Sequence, residues 1–343
     1  MNHRVVWLET GQSFEVAAGE AVLEAALRGE IALPHECQFG GCGTCRIKLV
    51  EGAVGYTSED GEAGELPMGL SPEEAEAGYA LACQARPSSD LVISVAPPLA
   101  CSSPTRLSAT VEGVQALTPD VTHLRLRLPA DAELVYRPGQ YMNVQLGDGR
   151  HRSFSMASRP NGGTVDFHVR RIPGGTFTGQ HLATLRPGQT LDVEMPHGNF
   201  CFHAEDYRPL VMVATGTGLA PIKSMLEALM DDGDCPPVSL YWGMRTEADL
   251  YLHDEIQTWA DRLYEFQYVP VLSRASDSWT GRRGYVQDAV LADLPDLSEH
   301  AIYLCGSPTM IADAKVAFAG RGANMSHVYA DIFQFQSRSE SMA

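Results

Sequence analysis

Cys37, Cys42 and Cys45, followed by Cys83, set out the spacing C-x4-C-x2-C…C, by which four thiolates hold a [2Fe-2S] cluster and pass single electrons. Three of the ligands must come from one tight loop, which demands small residues between them. Gln38-Phe39-Gly40-Gly41 and Gly43-Thr44 supply these, the glycines reaching positive φ and letting backbone N–H groups approach the cluster sulfurs. A disulfide framework and a zinc site are the alternatives. A zinc ribbon wants two C-x2-C pairs, and no secretory signal is read ahead of the cysteines.

Four further motifs carry atoms suited to nucleotides. Arg152-Ser153-Phe154-Ser155 lies on an expected strand, where period-two alternation sends Arg152 and Phe154 to one face and the serines to the other. Phe167-His168-Val169-Arg170 leads to Pro173-Gly174-Gly175-Thr176-Phe177-Thr178, a turn entering a helix whose free N–H groups and dipole suit a pyrophosphate. An ordinary β-to-helix turn is the plainer reading of that segment alone. Thr215-Gly216-Thr217-Gly218-Leu219-Ala220-Pro221 joins a strand to the expected helix Ile222–Leu229, as a dinucleotide phosphate requires, without the G-x-G-x-x-G fingerprint. Cys305-Gly306-Ser307-Pro308 ends another strand and begins another helix. Its cysteine could equally be simple packing.

The elements that must position these motifs fall into three stretches. Val5–Leu8 and Ser13–Val16 read as a hairpin, Ala21–Arg28 as a helix stopped by Gly29, and Ile47–Val50 and Leu91–Val95 as returning strands, which suggests a β-grasp α+β domain over residues 1–97. A linker over 98–104 follows. Residues 105–206 alternate in short strands, Thr122–Leu128, Tyr141–Leu146, Arg152–Ser155, Thr164–Arg170 and Thr190–Met195, the pattern of a small antiparallel β-barrel. Within 207–343 the apolar runs Leu210–Ala214, Ser239–Gly243, Phe266–Leu272 and Ala301–Cys305 alternate with helical segments, an open parallel α/β sheet.

Composition narrows the class. The 343 residues are 44% hydrophobic with a formal charge of −18, which argues against nucleic acid as a partner because phosphate binding needs clustered Lys and Arg. Residues 1–100 hold 15 acidic against 5 basic side chains, net −10. That excess could steer a basic protein partner or merely solvate loops such as Ser58-Glu59-Asp60-Gly61-Glu62. No apolar run approaches the roughly 18 residues of a membrane span, and Met1-Asn2-His3-Arg4 has no apolar h-region. A cytoplasmic location and a monomer are expected, with eight cysteines serving clusters and catalysis in a reducing compartment.

Arg-x-Phe/Tyr-Ser, Gly-Gly-x-x-Thr, Gly-Thr-Gly-Leu-Ala-Pro, Cys-Gly-x-Pro and a terminal acidic-x-aromatic, in that order, resemble the ferredoxin-NADP reductase superfamily. With the cysteine domain in front, the chain resembles the reductase components of multicomponent aromatic oxygenases, such as those serving terephthalate dioxygenase, naphthalene dioxygenase or xylene monooxygenase. The resemblance implies FAD, NADH and a terminal oxygenase partner of Rieske type, in aromatic hydrocarbon catabolism. It gives Arg152 the FAD pyrophosphate, Phe154 one flavin face and Ser155 the reactive flavin nitrogen. His168 and Arg170 edge the flavin and its phosphate, with Gly175, Thr176 and Thr178 on the pyrophosphate. Gly216, Thr217, Gly218, Pro221, Arg245 and Gly306 serve the nicotinamide nucleotide. Phe333 covers the other flavin face, and Cys305 and Asp331 join Ser155 on the hydride path. Phe154 departs from the Tyr often found in relatives, which removes a phenolic hydrogen bond. Tyr241-Trp242-Gly243-Met244-Arg245 with Asp249-Leu250-Tyr251 resembles NADH users, and Glu247 would repel a 2′-phosphate. Ser273-Arg274 and Arg283 stand where NADPH enzymes bind that phosphate. A diiron monooxygenase, a deoxysugar-forming dehydratase and a non-catalytic redox role are the other readings.

Overall fold

The computed structural model describes residues 2–56, 64–95, 104–130, 132, 136–147, 149–204 and 206–333. The acidic loop Ser58–Glu62 and residues 98–103 of the expected linker lie outside them. The described residues form two compact units, one from 1–100 with 329 onward and one from within 101–328.

In the first unit the strands His3–Trp7 and Ser13–Val16 pair antiparallel, and Val5 and Trp7 point inward while Arg4 and Val6 stand further out. The Trp7 indole is buried and its Nε1 donates to the Val95 carbonyl at 2.8 Å, so its polar edge is satisfied. The sheet order is Ser13–Val16, His3–Trp7, Leu91–Ser94, Arg46–Glu51, Tyr79–Leu81. His3–Trp7 and Leu91–Ser94 run parallel and the other pairs antiparallel. The helix Val22–Arg28 covers one face with Val22, Leu23, Ala25 and Ala26, and Gly29 caps it. This is the expected α+β arrangement, with Ser13–Val16 at its expected bounds and the other strand ends within two residues of theirs.

The first half of the second unit is a six-stranded antiparallel sheet in the order His151–Ser155, Tyr141–Gln145, Thr190–His197, Thr105–Ala116, Val121–Arg127, Thr164–Arg170. A bridge between Met156 and Phe167, with Ala157 N–H donating to Asp166 O at 2.7 Å, ties the two end strands. The twelve-residue strand Thr105–Ala116 is not among the expected strands. Its register shifts between Val111 and Gly113, so the period-two pattern breaks mid-strand. Inside lie Leu124, Leu126, Met142, Val144, Phe167 and Val193.

The second half places Arg282–Arg283, Phe266–Leu272, Val238–Met244, Leu210–Thr215 and Ala301–Gly306 side by side, all parallel. Leu210–Thr215 and Ala301–Gly306 are buried almost throughout, as strands covered on both faces must be. The helix after the glycine loop is Leu219–Leu229, three residues longer than expected at its start, because Gly216–Gly218 coils into a 3₁₀ turn that leads straight into it. Among the described residues no helix is long and apolar enough to cross a membrane.

Candidate functional site

The four cysteines come as two pairs. Cys45 Sγ lies 3.2 Å from Cys83 Sγ, and Cys42 N–H donates to Cys37 Sγ at 3.4 Å. Among the described residues no three such ligands surround a single-ion site. Two pairs are what a two-iron core asks for, one per iron, and the donor set is all sulfur. Hydrogen bonding within the first pair draws the Cys37 thiol down to about 6 and, with burial, raises Cys42. The second pair divides likewise, with Cys83 lowered and Cys45 raised by their mutual bond. Each pair therefore offers one thiol readily deprotonated, the form that ligates metal. These residues fit a [2Fe-2S] cluster.

The loop is held from two sides. Gly69 N–H donates to Gly40 O at 2.7 Å, and a Cβ on Gly69 would stand 2.6 Å from the Gly41 carbonyl oxygen, so no larger residue fits. Gln84, beside the fourth ligand, donates from Nε2 to Gln38 O at 3.0 Å, which pins Gln38 at φ +61. Tyr56 accepts from Leu81 N–H at 3.2 Å, and burial raises its phenol. Sequence reasoning named none of these three. Gly69 and Gln84 touch the loop only through tertiary approach, and their sequence neighbours give no periodic hint.

On the strand His151–Ser155, Ser155 is buried and Phe154 half-buried, its ring 5.3 Å from that of Phe177. Arg152 bonds the His151 carbonyl through Nη1 at 2.7 Å. Gly175 precedes the helical segment Thr176–His181. Thr178 Oγ1 accepts from Ile172 N–H at 3.2 Å and lies 2.7 Å from where a Gly175 Cβ would sit. The turn is thus folded tightly, with Gly175 N–H donating to Ile172 O at 3.0 Å.

Two strand ends meet at the C-terminal edge of the parallel sheet. Ala214 lies opposite Cys305. A Cβ on Gly218 would stand 2.3 Å from Cys305 O, and one on Gly306, at φ +144, would stand 2.1 Å from Thr215 Oγ1. Thr215 Oγ1 accepts from Ser307 N–H at 3.2 Å, and Ser307 caps the helix Pro308–Ala319. Gly216–Thr217–Gly218 and Cys305–Gly306 therefore form one seam, in the crevice position where open α/β sheets take their ligands. Pro221 is buried in the following helix and Arg245 is exposed.

The antiparallel sheet reaches this seam. Arg170 Nε bonds Asp120 at 3.2 Å, and its Nη1 lies 3.9 Å from where a Gly216 Cβ would be. His168 is buried, and its Nδ1 shares a hydrogen bond with the Tyr251 hydroxyl at 3.2 Å. Burial, aided by the charges of Lys223 and His123, pushes His168 down to about 3, so the ring is neutral at physiological pH. Asp331 and Phe333, both half-buried, belong to the other unit.

Known proteins align with this layout. The family model for a 2Fe-2S iron-sulfur cluster binding domain matches residues 5–88, that for an oxidoreductase FAD-binding domain 108–202, and that for an oxidoreductase NAD-binding domain 212–316. Terephthalate 1,2-dioxygenase reductase component 1 of a Comamonas species is 34% identical over 97% of this chain and 98% of its own. The CDP-6-deoxy-L-threo-D-glycero-4-hexulose-3-dehydrase reductase of Yersinia pestis is 35% identical over 94% and 96%. The electron transfer component of xylene/toluene monooxygenase from Pseudomonas putida is 36% identical over 94% and 91%. Among solved structures, a cytochrome P450 reductase from Amycolatopsis superposes with a TM-score of 0.70 at 31% identity, covering 96% of this chain and 98% of that one.

Proposed function

The chain belongs to the flavin and iron–sulfur reductases that serve aromatic oxygenases, NADH-dependent oxidoreductases of the ferredoxin-NADP reductase superfamily, and from that premise we propose that it carries electrons from NADH to a Rieske-type terminal oxygenase. The observation that carries this reading is the cysteine pairing joined, in one chain, to a pyrophosphate turn and a glycine-stitched sheet edge. FAD, when bound, accepts a hydride and releases single electrons, which a [2Fe-2S] centre takes one at a time.

The residues divide the work. Cys37, Cys42, Cys45 and Cys83 hold the iron. Arg152, Gly175, Thr176 and Thr178 bind the FAD pyrophosphate, Phe154 covers the flavin, Ser155 hydrogen-bonds it, and His168 and Arg170 flank it. Gly216, Thr217, Gly218 and Pro221 with Gly306 seat the nicotinamide nucleotide, Arg245 meets its exposed end, and Cys305, Asp331 and Phe333 line the hydride path. Domain limits of 1–97, 105–206 and 207–343, a β-grasp fold for the first, closure of the six-stranded sheet into a barrel, a monomeric state and a cytoplasmic location complete the reading.

NADH is favoured over NADPH by the loop after Leu272. Arg283 donates through Nη2 to Ser276 O at 2.7 Å and Trp279 O at 2.8 Å, so its guanidinium is engaged within the loop. Glu247 accepts from Ser276 N–H at 3.1 Å, and the Ser276 hydroxyl bond lowers its carboxyl, keeping a negative charge that a 2′-phosphate would meet.

A second reading assigns a deoxysugar dehydrase as acceptor, favoured by the Yersinia relative at 35% identity beside 34% for the dioxygenase reductase. Anaerobic NADH added to the reconstituted protein should bleach the flavin and then raise the electron paramagnetic resonance signal of the reduced cluster. Turnover with a Rieske oxygenase should exceed that with a dehydrase, a diiron hydroxylase or a P450. A dehydrase served faster than the oxygenase would overturn the acceptor assignment.

A further inference from the structure

The antiparallel sheet and the nicotinamide loop are joined by a line of three side chains, of which Trp242 and Tyr251 have no binding role above. Trp242, buried on the strand Val238–Met244, donates from Nε1 to the Gly216 carbonyl at 3.0 Å. Gly216 is the loop residue at φ +58. The Tyr251 ring stands edge-on to Trp242, centroids 5.0 Å apart at 84°. It meets His168 in the same fashion, at 5.1 Å and 80°, and its hydroxyl shares the 3.2 Å hydrogen bond with His168 Nδ1. His168 lies on Thr164–Arg170, whose Arg170 borders the same glycine. One end of the line thus fixes a backbone carbonyl of the nucleotide loop, and the other fixes a strand of the flavin sheet.

We propose that Tyr251 is a positioning residue for hydride transfer, latching the Trp242-anchored nicotinamide loop to the flavin strand through His168. The inference rests on the reductase reading and deepens it. The nicotinamide carbon that gives the hydride and the flavin nitrogen that takes it belong to ligands held by different sheets, and a hydride moves only over a short, aligned gap. A misplacement of about 1 Å can cost about a hundredfold in rate. A directional hydrogen bond from the half-buried Tyr251 to the buried His168 across those sheets limits their sliding in a way that apolar packing alone does not.

Tyr251→Phe keeps both ring contacts and deletes the hydroxyl. Anaerobic stopped-flow of the FAD-loaded protein against NADH should show the limiting rate of flavin bleaching reduced by about tenfold, with the Kd for NADH within about twofold and FAD content normal. The long-wavelength charge-transfer band of the reduced flavin with NAD+ should weaken in step. His168→Gln, which retains a hydrogen-bonding partner for the hydroxyl, should bleach several-fold faster than His168→Leu, which does not. His168→Leu should match Tyr251→Phe, and the double variant should be no slower than either single one. Should Tyr251→Phe lose FAD, the Gln and Leu variants at His168 carry the same comparison. A Tyr251→Phe limiting rate within about twofold of wild type, or effects at 168 and 251 that simply add, would overturn the latch. A wild-type protein whose flavin NADH fails to bleach would instead sink the reductase reading, and the latch with it.

Discussion

On the proposed reading, the cluster loop and the nicotinamide seam solve the same problem, holding a redox group still, by opposite means. The cluster site would rely on four thiol side chains that bond the group directly, with Gly40, Gly41 and Gly69 packed closely around them. The seam relies on the backbone: Gly218 against Cys305 and Gly306 against Thr215 bring two strand ends so close that no side chain can intervene. The first kind of site fails when a ligand is lost. The second fails when an atom is added.

Cys42→Ser tests the first half of that contrast and has the largest expected effect. Reduction of ferricyanide by NADH should persist, because a dye can draw electrons from the flavin, while delivery to a one-electron protein acceptor should vanish. Equal loss of both would place the cluster on the dye path or make it structural. Gly218→Ala tests the second half. Its methyl would collide with the Cys305 carbonyl, so flavin reduction by NADH should slow sharply and the melting temperature should fall, as overpacking costs about 1–3 kcal/mol. Cluster absorbance should be untouched. A variant that reduces flavin normally would show that the seam has slack.

On the antiparallel sheet, Asp166 offers a smaller and pH-dependent probe. Burial opposes its ionisation, but hydrogen bonds from His123 at 2.9 Å and Arg125 at 2.7 Å outweigh it and hold the carboxyl below the usual range. A depressed folded value means stability that is present above the unfolded pKa of about 3.9 and lost as pH falls below it. Asp166→Asn should therefore lower the melting temperature at pH 7, by an amount reflecting about 1–3 kcal/mol, and the gap from wild type should shrink toward pH 3. A gap that stays constant across that range would remove charge from the explanation.

The smallest effect concerns the acidic first 100 residues, net −10. If they steer a basic acceptor, partner reduction should slow as the Debye length shrinks from about 10 Å at 0.1 M salt to about 3 Å at 1 M, while flavin bleaching changes less. A partner step that is flat or faster would return these carboxylates to plain solvation.

Much of this was legible in the chain because the relevant signals are local. The cysteine spacing, Gly29 as a helix stop, and the alternation of Val121–Arg127 all lie within a few residues of what they specify. The seam glycines were visible as motifs, but their meeting was not, since Gly218 and Cys305 touch only once parallel strands are in register. Tyr251 and His168 sit 83 positions apart, and nothing in either neighbourhood announces the other. The strand Thr105–Ala116 escaped notice for a different reason: a bulge at Glu112 and Gly113 reverses which side chains face the core.

The loop around Arg283 leads to a different kind of consequence. Its bonds are largely its own: Arg283 to the carbonyls of Ala275, Ser276 and Trp279, and the Trp279 indole to Arg282 O at 3.0 Å. The stretch between the paired strands Phe266–Leu272 and Arg282–Arg283 can be exchanged while those strands keep their register. Evolution, or an engineer, could therefore redraw the adenosine end of cofactor recognition as a cassette while the hydride end stays fixed, and coenzyme preference in such a reductase would drift faster than its chemistry.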